Sequence, residues 1–180
     1  MTLAGKSHRV TVMRGEYHVV DEGDVVLTTI LGSCVAACIR DPFAQTGGMN
    51  HFLLPGNNGR ASLDAQSYGV HLMELLVNGL LQRGAHRHRL EAKLFGGART
   101  IEGLSDIGAM NAEFAETFLR NEGISIVGGD LGGDRGRRVE YWPQSGRARQ
   151  VLLSGDKGFV APAQPKQPLV APSSGSLELF

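Results

Sequence analysis

Cys34 and His51 are the two residues whose types and spacing suggest covalent chemistry. Cys34 follows Gly32 and Ser33, where the backbone bends before an apolar run. A thiol at such a bend projects into a cleft, and neighbouring backbone N–H groups can gather around an oxyanion. Most free cysteines are instead small buried hydrophobes, and spacing alone favours that reading. His51 lies 17 positions further on, in a strand-like stretch. An imidazole beside a thiol shuttles its proton and ordinarily brings its pKa to roughly 3.5–7.5. A third group should orient the ring. Thr28 and Thr29 precede the cysteine on a strand and face opposite ways, so only one of them can reach it. Asn50 is a poor third member, because alternation turns it away from His51. Cys38, inside the apolar run, reads as core.

These residues need a frame of strands. Tyr17–Val20 and Val25–Ile30 flank a turn at 21–24, and Val35–Ile39 follows the bend at Leu31–Cys34. Residues 47–54 form another strand, stopped by Pro55, and 56–64 a loop. The strands carrying Cys34 and His51 are consecutive, and consecutive strands usually pair. From 65 to 83 apolar residues recur every three to four positions, a helix closed by Gly84. A strand at 90–95 ends in Gly96-Gly97. A second helix spans 107–121, with Met110, Phe114 and Phe118 on one face. A strand at 124–127, a glycine loop at 129–136 and strands at 138–142 and 147–153 complete the pattern. The order is not a regular βαβ alternation. The expected fold is α+β: a mixed sheet or sandwich core with two main helices packed outside.

Composition narrows the class. The chain has 180 residues, 42% of them hydrophobic, enough for one sizeable core. Eighteen basic residues balance eighteen acidic ones, which argues against a dedicated nucleic-acid protein. The 25 glycines, about twice the usual share, favour turns and close backbone approaches. Two cysteines make no disulfide framework and lack the second pair of a zinc site, so no metal is expected. No apolar run suits a signal peptide or a membrane span, and a cytoplasmic protein is expected. The domain is expected over 1–158. Residues 159–180, rich in Pro, Ser and Gly, read as a disordered tail. Phe95-Gly-Gly97 and 130–136 match no phosphate loop and read as tight turns. The basic stretches at 83–93 and 134–149 read as solvated faces, or as a dock for an acidic helical partner.

The run Thr28-Thr-Ile-Leu-Gly-Ser-Cys34, then Asp41-Pro42, then Gly47-Gly-Met-Asn-His51-Phe-Leu-Leu-Pro55 resembles the CheD family of chemoreceptor glutamine deamidases. The resemblance continues through Tyr68-Gly69, Met73–Leu76, Lys93–Ala98, Ile107-Gly108, Asn111–Phe114, Asp130–Gly133 and Arg137-Arg138, over roughly residues 8–153. It implies a protein-glutamine glutaminase that hydrolyses specific glutamine side chains of methyl-accepting chemotaxis receptors to glutamate, releasing ammonia without a cofactor. By position the family's catalytic cysteine falls on Cys34, its histidine on His51 and its threonine on Thr28. The implied partners are the receptors' cytoplasmic helical domain and a CheC-like phosphatase. The alternatives are a non-catalytic interaction module and a cysteine hydrolase of small amides.

Overall fold

The computed structural model describes residues 7–57, 60–61, 63–99 and 106–154. The tail expected at 159–180 lies outside them. Among the described residues, eleven strands and two α-helices run in the order β1 His8–Thr11, β2 Tyr17–Val20, β3 Val25–Leu31, β4 Val35–Asp41, β5 Thr46–Asn50, the short β6 Gly56–Asn57 and β7 Arg60–Ala61, then α1 Leu63–Gln82, β8 Glu91–Gly96, α2 Ile107–Asn121, β9 Ser125–Leu131, β10 Arg137–Trp142 and β11 Arg147–Leu152. The expected α+β class is what the chain adopts.

The larger strands form two sheets. One has the order β1-β3-β10-β11, the other β2-β5-β4-β8-β9. Both are mixed, since β1 runs parallel to β3 and β9 parallel to β8 while the other pairs are antiparallel. The strands flanking the turn at 21–24 therefore do not pair, and β2 and β3 enter different sheets. The glycine stretch at 129–136 divides likewise. Gly129 to Leu131 extend β9, and only the remainder is turn.

Alternation along β4 explains the layering. Val35, Ala37 and Ile39 face α1 and α2 in one core, together with Phe52, Leu76, Leu94 and Leu119. Ala36 and Cys38 face the other way, toward Leu27, Leu31, Val139 and Tyr141 of the four-stranded sheet. Both sides of β4 are apolar because both are covered, which is why it reads as a continuous run rather than an alternating strand. The result is three layers: helices, five-stranded sheet, four-stranded sheet.

The helices carry their own stops. Asp106 accepts a hydrogen bond from Ala109 N at 2.9 Å and caps α2. Gly84 and Gly123, at φ of 91° and 69°, follow α1 and α2. No helix among the described residues is long and apolar enough to cross a membrane.

Candidate active site

The bend between β3 and β4 carries Cys34 from one sheet to the other. Val35 pairs with Phe52 through two backbone hydrogen bonds, Val35 N to Phe52 O at 3.0 Å and Phe52 N to Val35 O at 2.9 Å. In this antiparallel register Cys34, Ala36 and His51 share the face turned toward the four-stranded sheet, with Cys34 and His51 on a diagonal. Cys34 is half-buried at the edge of that inter-sheet core, and Cys38 is fully inside it. Asn50, on the opposite face, donates from Nδ2 toward the Leu72 carbonyl and the Met73 sulfur beneath α1.

The bend itself is tied down at three successive carbonyls. Gly32 O accepts from Ala98 N at 2.9 Å, and Cys34 O accepts from Gly97 N at 2.8 Å. Between them, Ser33 O accepts from Asn111 Nδ2 at 2.8 Å. Gly96 adopts φ of 108°, and a Cβ there would collide with the Cys34 carbonyl oxygen. The Phe95-Gly-Gly97 motif is thus the clamp on the cysteine's backbone.

His51 is held from the other sheet. Its Nδ1 lies 2.9 Å from Thr29 Oγ1 and 3.3 Å from the Val12 carbonyl, while Thr29 Oγ1 donates to that carbonyl at 2.8 Å. These contacts assign the tautomer. The single hydroxyl proton of Thr29 is committed to Val12 O, so the proton between Thr29 and the ring sits on Nδ1. Nε2 is left with its lone pair. It is buried and has no hydrogen-bond partner among the described residues. Backbone bonds from Gly15 N to His51 O at 2.7 Å and from His51 N to Glu16 O at 3.1 Å fix the main chain on the segment between β1 and β2.

The hydroxyl that reaches His51 is therefore Thr29's, not Thr28's. Leu27, Thr29 and Leu31 point into the inter-sheet core, and alternation sends Thr28 to the outer face. There it stands opposite Thr11 of β1 and Glu140 of β10. The threonine transferred by motif position differs by one residue from the one that touches the ring.

Charge states also differ from the expected ion pair. Burial pushes the imidazole of His51 down to about 4, helped by Arg14 and opposed by the Val12 carbonyl and Glu16. Burial raises the Cys34 thiol, against the lowering effects of Arg14 and of its own backbone N–H. Both shifts favour the neutral thiol and the neutral imidazole at rest.

Residues 53–151 match the family described as CheD chemotactic sensory transduction. The "Probable chemoreceptor glutamine deamidase CheD" of Rhizobium meliloti (strain 1021) is 56% identical over 183 residues and covers 100% of both chains. The chain belongs to the CheD family. The proteins of the same name from Agrobacterium fabrum (strain C58) and Caulobacter sp. (strain K31) are each 56% identical, covering 96% and 98% of this chain and 96% and 95% of their own. Several neighbours that hold the CheD-like site escape a reading of the sequence alone. Val12 contributes only a carbonyl, so no side-chain type announces it. Asn111 acts across 78 positions, and its place in the family-like run Asn111–Phe114 was the only signal.

Proposed function

We propose that this chain hydrolyses glutamine side-chain amides of methyl-accepting chemotaxis receptors to glutamate, with Cys34 as nucleophile and His51 as its acid and base. The observation that carries the proposal is the proton inventory at His51. With Nδ1–H bonded to Thr29, Nε2 offers a buried lone pair on the face that carries Cys34. Sγ attacks the glutamine Cδ as its proton passes to Nε2, and the carbonyl oxygen becomes an oxyanion facing backbone amides at the bend. The imidazolium, stabilised through Nδ1–H, returns that proton to the amide nitrogen, the C–N bond breaks and ammonia leaves. Water then attacks the thioester as Nε2 takes one of its protons. The C–S bond breaks, the thiol is re-protonated and glutamate is released. In this role Thr29 is the positioning residue, in place of Thr28.

The substrate surface is the receptors' cytoplasmic helical domain, which places the enzyme in the cytoplasm. The names of its relatives support this choice of substrate. A purely non-catalytic module, for example one that only binds a CheC-like phosphatase, has no use for a buried unpartnered imidazole nitrogen. Ammonia release from a purified receptor cytoplasmic fragment tests the proposal. Wild type releases it, and Cys34→Ala and His51→Ala each lose at least about 100-fold, the lower end of what acid–base and nucleophilic catalysis contribute. Cys34→Ala with near wild-type release sinks the assignment.

A further inference from the structure

We propose that Asn111 is a positioning residue for this reaction: its side chain orients the Ser33–Cys34 peptide so that the Cys34 N–H serves as an oxyanion donor. The inference rests on the proposed chemistry at Cys34. Asn111 is fully buried on α2, yet its two polar atoms serve different halves of the site. Nδ2 donates to Ser33 O at 2.8 Å, just before the nucleophile, and Oδ1 accepts from Leu54 N at 3.0 Å, just after the His51 strand. The amide is thus used on both sides, as a donor and an acceptor at once, which an ionised carboxylate of the same length cannot supply.

Its leverage on the reaction comes from peptide planarity. Ser33 O and the Cys34 N–H belong to one rigid trans unit and point in opposite directions. A donor that pins the carbonyl toward α2 therefore sends the N–H away from α2. That N–H turns toward the cysteine's own sulfur, where it favours the thiolate. An oxyanion formed on a carbon bonded to that sulfur lies within reach of the same donor. The neighbouring carbonyls, Gly32 O and Cys34 O, are held by backbone amides that substitution cannot remove. The Ser33 carbonyl is the one tied by a side chain. Gly108, one turn earlier on α2, packs directly on the backbone of Gly97 and Ala98, so the helix and the clamp form one support.

Two reactions of Cys34 separate this role from general support. Alkylation by iodoacetamide needs the sulfur and its ionisation but forms no oxyanion, whereas amide hydrolysis needs both. Asn111→Asp keeps the acceptor for Leu54 N and removes the donor to Ser33. Asn111→Ala removes both. In each variant kcat for ammonia release from the receptor fragment is expected to fall about 10- to 100-fold, short of the ~100- to 1,000-fold cost of deleting a donor outright. KM stays at its wild-type value, and Cys34 is still alkylated at the wild-type limiting rate at high pH, with the profile moved upward because the lost N–H contact and, in Asn111→Asp, the added carboxylate disfavour the thiolate. Lowering the pH restores part of kcat in Asn111→Asp, because a protonated carboxyl donates an O–H to Ser33 O. Should Asn111→Ala not fold, Asn111→Asp alone decides the matter. Wild-type kcat in Asn111→Asp, or alkylation lost in step with kcat, overturns the inference and leaves the deamidase reading standing. A wild type that releases no ammonia removes both.

Discussion

The hydroxyl of Thr29 and the carbonyl of Val12 decide what His51 can do, because together they place the ring's proton on Nδ1 and expose the lone pair of Nε2. Thr29→Val keeps the shape and removes the acceptor. A loss in kcat of roughly 10- to 1,000-fold is expected, about 1.4–4 kcal/mol of transition-state stabilisation. Thr28→Val, on the outer face, is expected to stay close to wild type. Steady-state kinetics on the pair checks this, and the reverse ranking would return the role to Thr28. The same burial fixes the pH dependence. Since the imidazole is pushed down to about 4, it remains an unprotonated base well below the ordinary His value. The acid limb of kcat/KM, which reports the free enzyme, should fall near pH 4 to 5 and not near the unperturbed value of about 6.5. Alkylation of Cys34 should rise only above the usual thiol range of about 8.5, since burial raises that group. A limb at 6.5 with rapid alkylation at neutral pH would mean a preformed thiolate–imidazolium pair.

Elements matter here for what they bring together, and Asp41 at the end of β4 shows how. Its carboxylate accepts from the N–H groups of Phe43 and Ala44 in the β4–β5 turn, from His86 N and from the Arg89 guanidinium. Burial works to raise this carboxyl, but those donors outweigh it and hold it well below the usual range. The charge therefore stabilises the fold above the unfolded-state pKa of about 3.9, and that stabilisation fades as acid protonates the group. Asp41→Ala strands the Arg89 charge and three amides, and a loss of about 3–5 kcal/mol is expected in denaturant unfolding at pH 7. A loss below about 1 kcal/mol would mean that the turn and the 86–89 segment hold without it. Much at this scale was legible beforehand. The spacing of Met110, Phe114 and Phe118 set α2 at 107–121, and alternation put Asn50 behind the site. Partition into two sheets was not legible, because local periodicity says which face a residue takes but not which sheet covers it. Alternation left Thr28 and Thr29 open for that reason, and the resemblance alone named Thr28, whereas Thr29 is the one beside the ring. Either hydroxyl satisfied the alternation rule, and only the position of the four-stranded sheet selects the inner one.

At the scale of the whole molecule, three layers converge on one bend. β3 supplies Thr29, the segment just after β1 Val12, the segment just after β5 His51, the end of β8 the Gly96-Gly97 clamp, and the helical layer Asn111. Cys34 stands where the chain crosses between the sheets, buried enough to keep the thiol neutral and exposed enough to meet a side chain from outside. That placement suits an extended amide side chain offered by another protein, and it makes the identity of the substrate the central claim. Peptide mass spectrometry of a chemoreceptor cytoplasmic fragment, after incubation with wild type or Cys34→Ala, tests it most directly. Defined glutamines are expected to gain the mass difference between amide and acid with wild type and to stay unchanged with the variant. Glutamines left intact by an active, folded wild type, or modified equally by Cys34→Ala, would contradict it.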